Sequence, residues 1–223
     1  MKVFSAIFVA AFSLLLFAQN ASQERNPPVP TITFDNYWPA ARPQNVTITV
    51  KSDGPATYLS RNPDVAPGSD RVQDPDYHVE FTMSAADRNK MFQLAEKANY
   101  FHGDFDFRKH AMANTGRKTL TYADIQRHFQ TVYNYSENKA IEQITAIFQN
   151  ISTTMEHGRR LAFLHKYDKL GLDAEMKATE SDAQNHQLAE VQAIAPVLQN
   201  IVDDPTVLNI ARQRARKILK MAK

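Results

Sequence analysis

The chain has 223 residues, a formal net charge of +2, 43% apolar residues and 22% charged residues. Domains run to about 100–200 residues, so this is one domain or a small two-part protein, long enough to bury a core without covalent staples. The balance excludes a wholly disordered chain, a fibre and a multi-span membrane protein, and the near-neutral charge gives no general attraction to nucleic acid. Cysteine is absent, so disulfides, thiolate metal sites and cysteine nucleophiles are excluded.

Residues 1–22 read as a signal peptide. Lys2 is the positive start, Val3–Phe17 is apolar apart from Ser5 and Ser13, and small residues follow at Ala18, Ala21 and Ser22. The apolar run is shorter than the roughly 20 residues of a spanning helix. The expectation is bacterial export to the periplasm or the medium. Residues 23–45 hold Pro27, Pro28, Pro30, Pro39 and Pro43. Proline donates nothing to a ladder, so this stretch is expected to be an extended lead-in with at most an edge strand at Thr31–Phe34.

Residues 46–152 read as an α+β domain. Val46, Ile48 and Val50 alternate with Thr47, Thr49 and Lys51, which predicts a half-buried strand. Ser52-Asp53-Gly54-Pro55 is turn chemistry, with Ala56–Leu59 as the returning strand. Asn62–Pro75 reads as a loop. Tyr77, Val79, Phe81 and Met83 predict another strand. Ser84 then caps a helix running to about Asn99, with Asp87 completing a capping box. Thr119–Tyr122 and His128–Tyr133 predict a second hairpin around Asp124. Ser136 is expected to cap a helix whose Ile144, Ile147, Phe148 and Ile151 pack on Val46, Ile48, Phe81 and Met83. Strands followed by helix, twice, predict a mainly antiparallel sheet with helices on one face.

Residues 153–223 read as a helical C-terminal part. Helices are expected at about Thr154–Leu170, with Gly171 as C-cap, at Asp173–Ser181, at Ala183–Ile201, and from Asp204-Pro205 onward.

Two groups of residues carry candidate chemistry. In Phe101–His110, an extended backbone puts Phe101, Phe105 and Phe107 on one face and His102, Asp104, Asp106 and Arg108 on the other. His102, Asp104, Asp106 and His110 have donor types that suit zinc or manganese, although neither HExxH nor HxH occurs. The bland alternative is a solvated polar face. The second group is the last stretch. Pro205–Lys223 carries six basic residues and no acid, and Arg212, Arg216 and Lys220 form an i,i+4 ridge. Such a ridge suits an anionic surface, or simply the dipole of a packed terminal helix. Tyr122, Phe129, Tyr133 and Tyr135, with Arg117, Lys118 and Arg127 nearby, read as cross-strand packing rather than base stacking.

No GxSxG, P-loop or GxGxxG occurs, so no cofactor is expected. Ala195-Pro196-Val197-Leu198, Asp203-Asp204-Pro205 and Ile210-Ala211-Arg212 with Ala215-Arg216 resemble one HEAT-type helical hairpin. A single hairpin implies no scaffold, because solenoids need several repeats. Arg159–Lys177, after a strand-strand-helix region, resembles uncharacterised secreted bacterial proteins, which implies export and no particular activity. The sequence reading is an exported, non-catalytic binding or interaction protein with an unknown protein or envelope partner and no nucleic acid. Its alternatives are a metal-dependent or other hydrolase using residues 102–110, and an envelope-associated structural protein held by the basic helix.

Overall fold

A computed structural model of the chain describes residues 28–62, 75–109 and 113–221. Residues 1–22, expected to be a signal peptide, most of the expected 62–75 loop and His110 lie outside the described residues.

Six strands form one antiparallel sheet: β1 Thr31–Tyr37, β2 Asn45–Lys51, β3 Pro55–Arg61, β4 Tyr77–Thr82, β5 Arg117–Ala123 and β6 His128–Tyr133, in the order β4-β3-β2-β1-β5-β6. Five α-helices accompany it: α1 Ala85–Lys97, α2 Lys139–Tyr167, α3 Leu172–Gln184, α4 Ala195–Asp203 and α5 Asn209–Met221. The molecule is therefore α+β, with four of the five helices after the last strand.

β1 corrects the sequence expectation. It is not an edge strand but lies inside the sheet, paired with both β2 and β5. Prolines flank it at 30 and 39, yet none falls within Thr31–Tyr37, so every one of its N–H groups is available to a ladder. Ile32 and Phe34 are buried beside Val46, Ile48, Val50, Tyr58 and Leu120 on the face that α1 and α2 cover. The opposite face is threonine-rich, with Thr33 aligned to Thr49 on one side and Thr121 on the other.

The expected core of α2 is present. Ile144, Phe148 and Ile151 are fully buried, Ile147 is nearly so, and Phe148 stacks on Phe34 with ring centroids 4.8 Å apart. Val46, Ile48 and Met83 are buried as expected, whereas Phe81, on the edge strand β4, is only partly covered.

Helix boundaries differ from expectation in physically interpretable ways. Asn138, not Ser136, caps α2, its Oδ1 accepting from the N–H groups of Ala140 and Ile141 at 2.9 and 3.2 Å. No break occurs near Thr154; α2 is one helix of 29 residues, about 44 Å long. Thr153 and Thr154 fold their hydroxyls back onto the carbonyls of Gln149 and Asn150, so their polar groups are satisfied inside the helix. Gly171 is not a left-handed C-cap. Its φ is −67°, and it precedes α3.

The expected helix over 183–201 is interrupted, with His186 and Glu190 at positive φ and a 3-10 turn over Val191–Ile194 before α4. The reason is long-range. The buried Glu190 carboxylate accepts from both the backbone N–H and the hydroxyl of Ser84, at 2.8 Å each. Ser84 Oγ takes the Asp87 N–H at 3.2 Å, as a capping box requires, but the returning carboxylate comes from Glu190 rather than Asp87. Asp204 closes α4 and accepts the Thr206 N–H at 2.8 Å, so α5 starts at Asn209 instead of Pro205.

Candidate functional site

The structure places residues 102–109 at the sheet end, but not as a strand. Asn99, Tyr100 and Phe101 all have positive φ, and an irregular run follows. Arg108 bridges the two aspartates, 3.2 Å from Asp104 and 3.1 Å from Asp106. Asp106 also accepts the Asn134 N–H at 2.9 Å, and that bond, together with Arg108, holds its carboxyl below the usual range. The His102 ring packs on Phe129, with centroids 4.5 Å apart. Among the described residues no three His, Asp or Glu side chains are placed to hold a metal ion.

The basic helix divides into two groups. Arg214 reaches Glu180 at 2.7 Å and Asp173 at 3.3 Å, and Lys217 reaches Glu180 at 3.0 Å, so these cations fasten α5 to α3. Arg212 donates to the Val202 carbonyl at 3.1 Å. Arg216 and Lys220 remain exposed. The aromatic-basic group of the second hairpin belongs to the fold. Tyr122 and Tyr133 are buried, and Lys118, also buried, donates to the Asn134 carbonyl at 2.9 Å.

A site not anticipated from sequence lies between the start of β4 and the last turns of α2. It is a cavity of about 630 Å³ lined by Pro75, Asp76, Tyr77, Arg159, Arg160, Phe163, Leu164 and Tyr167. Ligand pockets run to about 300–1,000 Å³, and apolar walls with a few polar groups are their usual composition. The walls here are aromatic. Phe163 and Tyr167 lie one helical turn apart with centroids 5.0 Å apart, and they are 59% and 64% exposed.

Next to the cavity-lining Arg159, Gly158 sets how close α2 comes to the 191–194 turn. A Cβ built there would overlap Ile194 Cγ2 and lie 3.2 Å from Ile194 Cβ, so only glycine lets α2 and the 191–194 turn approach this closely. Glu156, two residues earlier on α2, accepts from the Tyr58 hydroxyl at 2.8 Å and the Ser60 hydroxyl at 2.7 Å. Burial pushes the Tyr77 hydroxyl up from its ordinary value, and the Glu156 charge adds to this against the opposing effect of Arg159.

The side of the site is braced by ion pairs. His157, almost fully buried, has Nδ1 2.6 Å from Glu175 and Nε2 2.8 Å from Asp182, tying α2 to α3. Arg160 Nε donates to the same Glu175 at 2.7 Å. Further along, Asp204 joins His165 at 2.9 Å and Lys169 at 2.6 Å, and these contacts and Thr206 hold its carboxyl far below the usual range.

The sequence did contain a signal for this cavity. Phe163, Tyr167 and Leu170 recur at helical spacing outside the stripe of Ile144, Ile151 and Leu161 that faces the core, with Arg159, Arg160 and Lys166 interleaved. Comparison with protein-family models and with curated proteins finds no match to this chain.

Proposed function

We propose that the chain is an exported binding protein whose ligand site is the cavity between β4 and α2. The observation that carries this reading is the exposed pair Phe163 and Tyr167 on the wall of a cavity of about 630 Å³. Large apolar side chains left in water beside a concave surface are what ligand and partner sites present. Leu170, 80% exposed, stands one helical turn beyond them in the connection to α3. A fluorescence titration with the uncharged probe N-phenyl-1-naphthylamine tests the reading. Saturable binding that is lost on combining Phe163→Ser with Tyr167→Ser supports it; binding unaffected by the pair contradicts it.

A second reading rests on α5. Arg216 and Lys220 are exposed one turn apart and enter no ion pair among the described residues, which favours contact with an anionic surface. Co-sedimentation with anionic phospholipid vesicles, reduced by Arg216→Gln with Lys220→Gln, supports that contact, and equal sedimentation of both proteins contradicts it.

A further inference from the structure

Resting on the second reading above, and independent of the cavity, we infer that α5 docks lengthwise on an anionic phospholipid bilayer. Its unneutralised cations meet the headgroups, and the side chains of Ile210 and Met221 enter the boundary between headgroups and acyl chains.

The cations of α5 fall into a neutralised set and an unneutralised one. Asp173 and Glu180 of α3 take Arg214 and Lys217. The acids at the end of α4 are engaged as well: Asp203 accepts from Gln199 at 2.9 Å, and Asp204 binds His165 and Lys169. Arg212 donates to the Val202 carbonyl, which carries no charge. Arg216 and Lys220 form no ion pair among the described residues. Arg212, Arg216 and Lys220 stand at i, i+4 and i+8, about 12 Å from end to end, where like charges repel from turn to turn. A layer of anionic headgroups relieves that repulsion and attracts each cation.

The apolar residues of the same face select a bilayer over a dissolved polyanion. At 3.6 residues per turn, every exposed residue of α5 falls on one arc of about 140° from Arg216 round to Met221, and none is acidic. Ile210 and Met221 are 49% and 50% exposed on that arc. Three turns separate them, so they share one side, about 16 Å apart. Lys217 lies between them with its side chain 62% exposed, and its methylene stem extends the apolar line while its ammonium holds Glu180. Burying such side chains at the headgroup boundary is favourable, and a dissolved polyanion offers them no such layer.

Co-sedimentation with vesicles of equal parts phosphatidylglycerol and phosphatidylcholine, against vesicles of phosphatidylcholine alone, tests the inference. The mixed vesicles should bind the protein at least about tenfold more tightly, because only they carry negative charge. Arg216→Gln with Lys220→Gln should weaken that binding about thirtyfold, or about fivefold per surface cation. Ile210→Ser with Met221→Ser should weaken it about tenfold and leave binding to soluble polyphosphate unchanged. The chain has no cysteine, so Met221→Cys takes a single nitrobenzoxadiazole label, whose emission should rise on the mixed vesicles as it leaves water. The same label at Gln130→Cys, exposed on β6, should not respond. The label reads insertion even if the serine pair fails to fold. Cation-dependent sedimentation with no rise in emission at 221 would overturn the insertion and leave the anionic-surface contact standing. Equal sedimentation with both kinds of vesicle would overturn both.

Discussion

Gly158→Ala gives the clearest energetic test of how closely α2 packs on the 191–194 turn. In an open mid-helix position the change stabilises by about 1 kcal/mol, because alanine is the better helix former. Here the new methyl overlaps Ile194 Cγ2 and lies 3.2 Å from Ile194 Cβ. Ile194 is itself buried, so it cannot swing into solvent. Overpacking of this kind costs about 1–3 kcal/mol. The balance is a net loss of about 1 kcal/mol, opposite in sign to the propensity effect. Urea unfolding reads the difference as a lower midpoint at unchanged slope. Combining Gly158→Ala with Ile194→Ala removes the clashing methyl, so the two changes should be less than additive, with a coupling of about 0.5–3 kcal/mol. A Gly158→Ala protein more stable than the parent would refute the close approach of α2 to the 191–194 turn.

Other expectations follow from the core and the ion pairs. Phe148→Ala removes the ring stacked on Phe34 and should cost about 3–5 kcal/mol in denaturant unfolding; a loss under about 1 kcal/mol would mean that α2 presents a different face to the sheet. Burial raises the Glu175 carboxyl, but the hydrogen bonds from His157 and Arg160 outweigh it and lower the net value, while Arg214 and Lys217 lower Glu180. Both acids give up protons more readily folded than unfolded. They therefore add stability above the unfolded carboxyl value of 4.5 that is lost as pH falls through their lower folded values, and Glu180→Gln should weaken this acid sensitivity. Glu190 has the opposite sign, because burial, reinforced by a hydrogen bond shared with Asp87, raises it. Its contribution is full below 4.5 and lost as pH rises through the raised value, so Glu190→Gln should gain stability relative to the parent as pH rises above 4.5. A pH-independent difference between variant and parent would contradict this.

The strands were legible because their signal is local. Val46, Ile48 and Val50 alternate with polar neighbours, and so do Leu120 and Tyr122, so the inward residues could be named before any partner was known. β1 was misjudged from the prolines around it, although the Ile32 and Phe34 alternation between them was intact.

The helical half was harder for a different reason. Nearly every residue from 139 to 221 tolerates a helix, so boundaries are set by distant partners. Glu190 leaves the helix because Ser84 holds it from 106 positions away, and Asp204 turns the chain while binding His165 and Lys169. The segment 102–110 drew attention through its His and Asp content, yet Arg108 binds both aspartates side by side. The cavity went unseen because Phe163 and Tyr167 look like core residues until the fold shows that, among the described residues, no element covers them.

The most direct test of the central claim is a two-dimensional nitrogen–proton spectrum of labelled protein titrated with 8-anilinonaphthalene-1-sulfonate. The binding reading predicts saturable shifts confined to the amides around Tyr77, Arg159, Arg160, Phe163 and Tyr167, with the threonine-rich sheet face and the 102–109 segment unmoved. Shifts centred on either of those regions, or no saturable shifts at all, would contradict it.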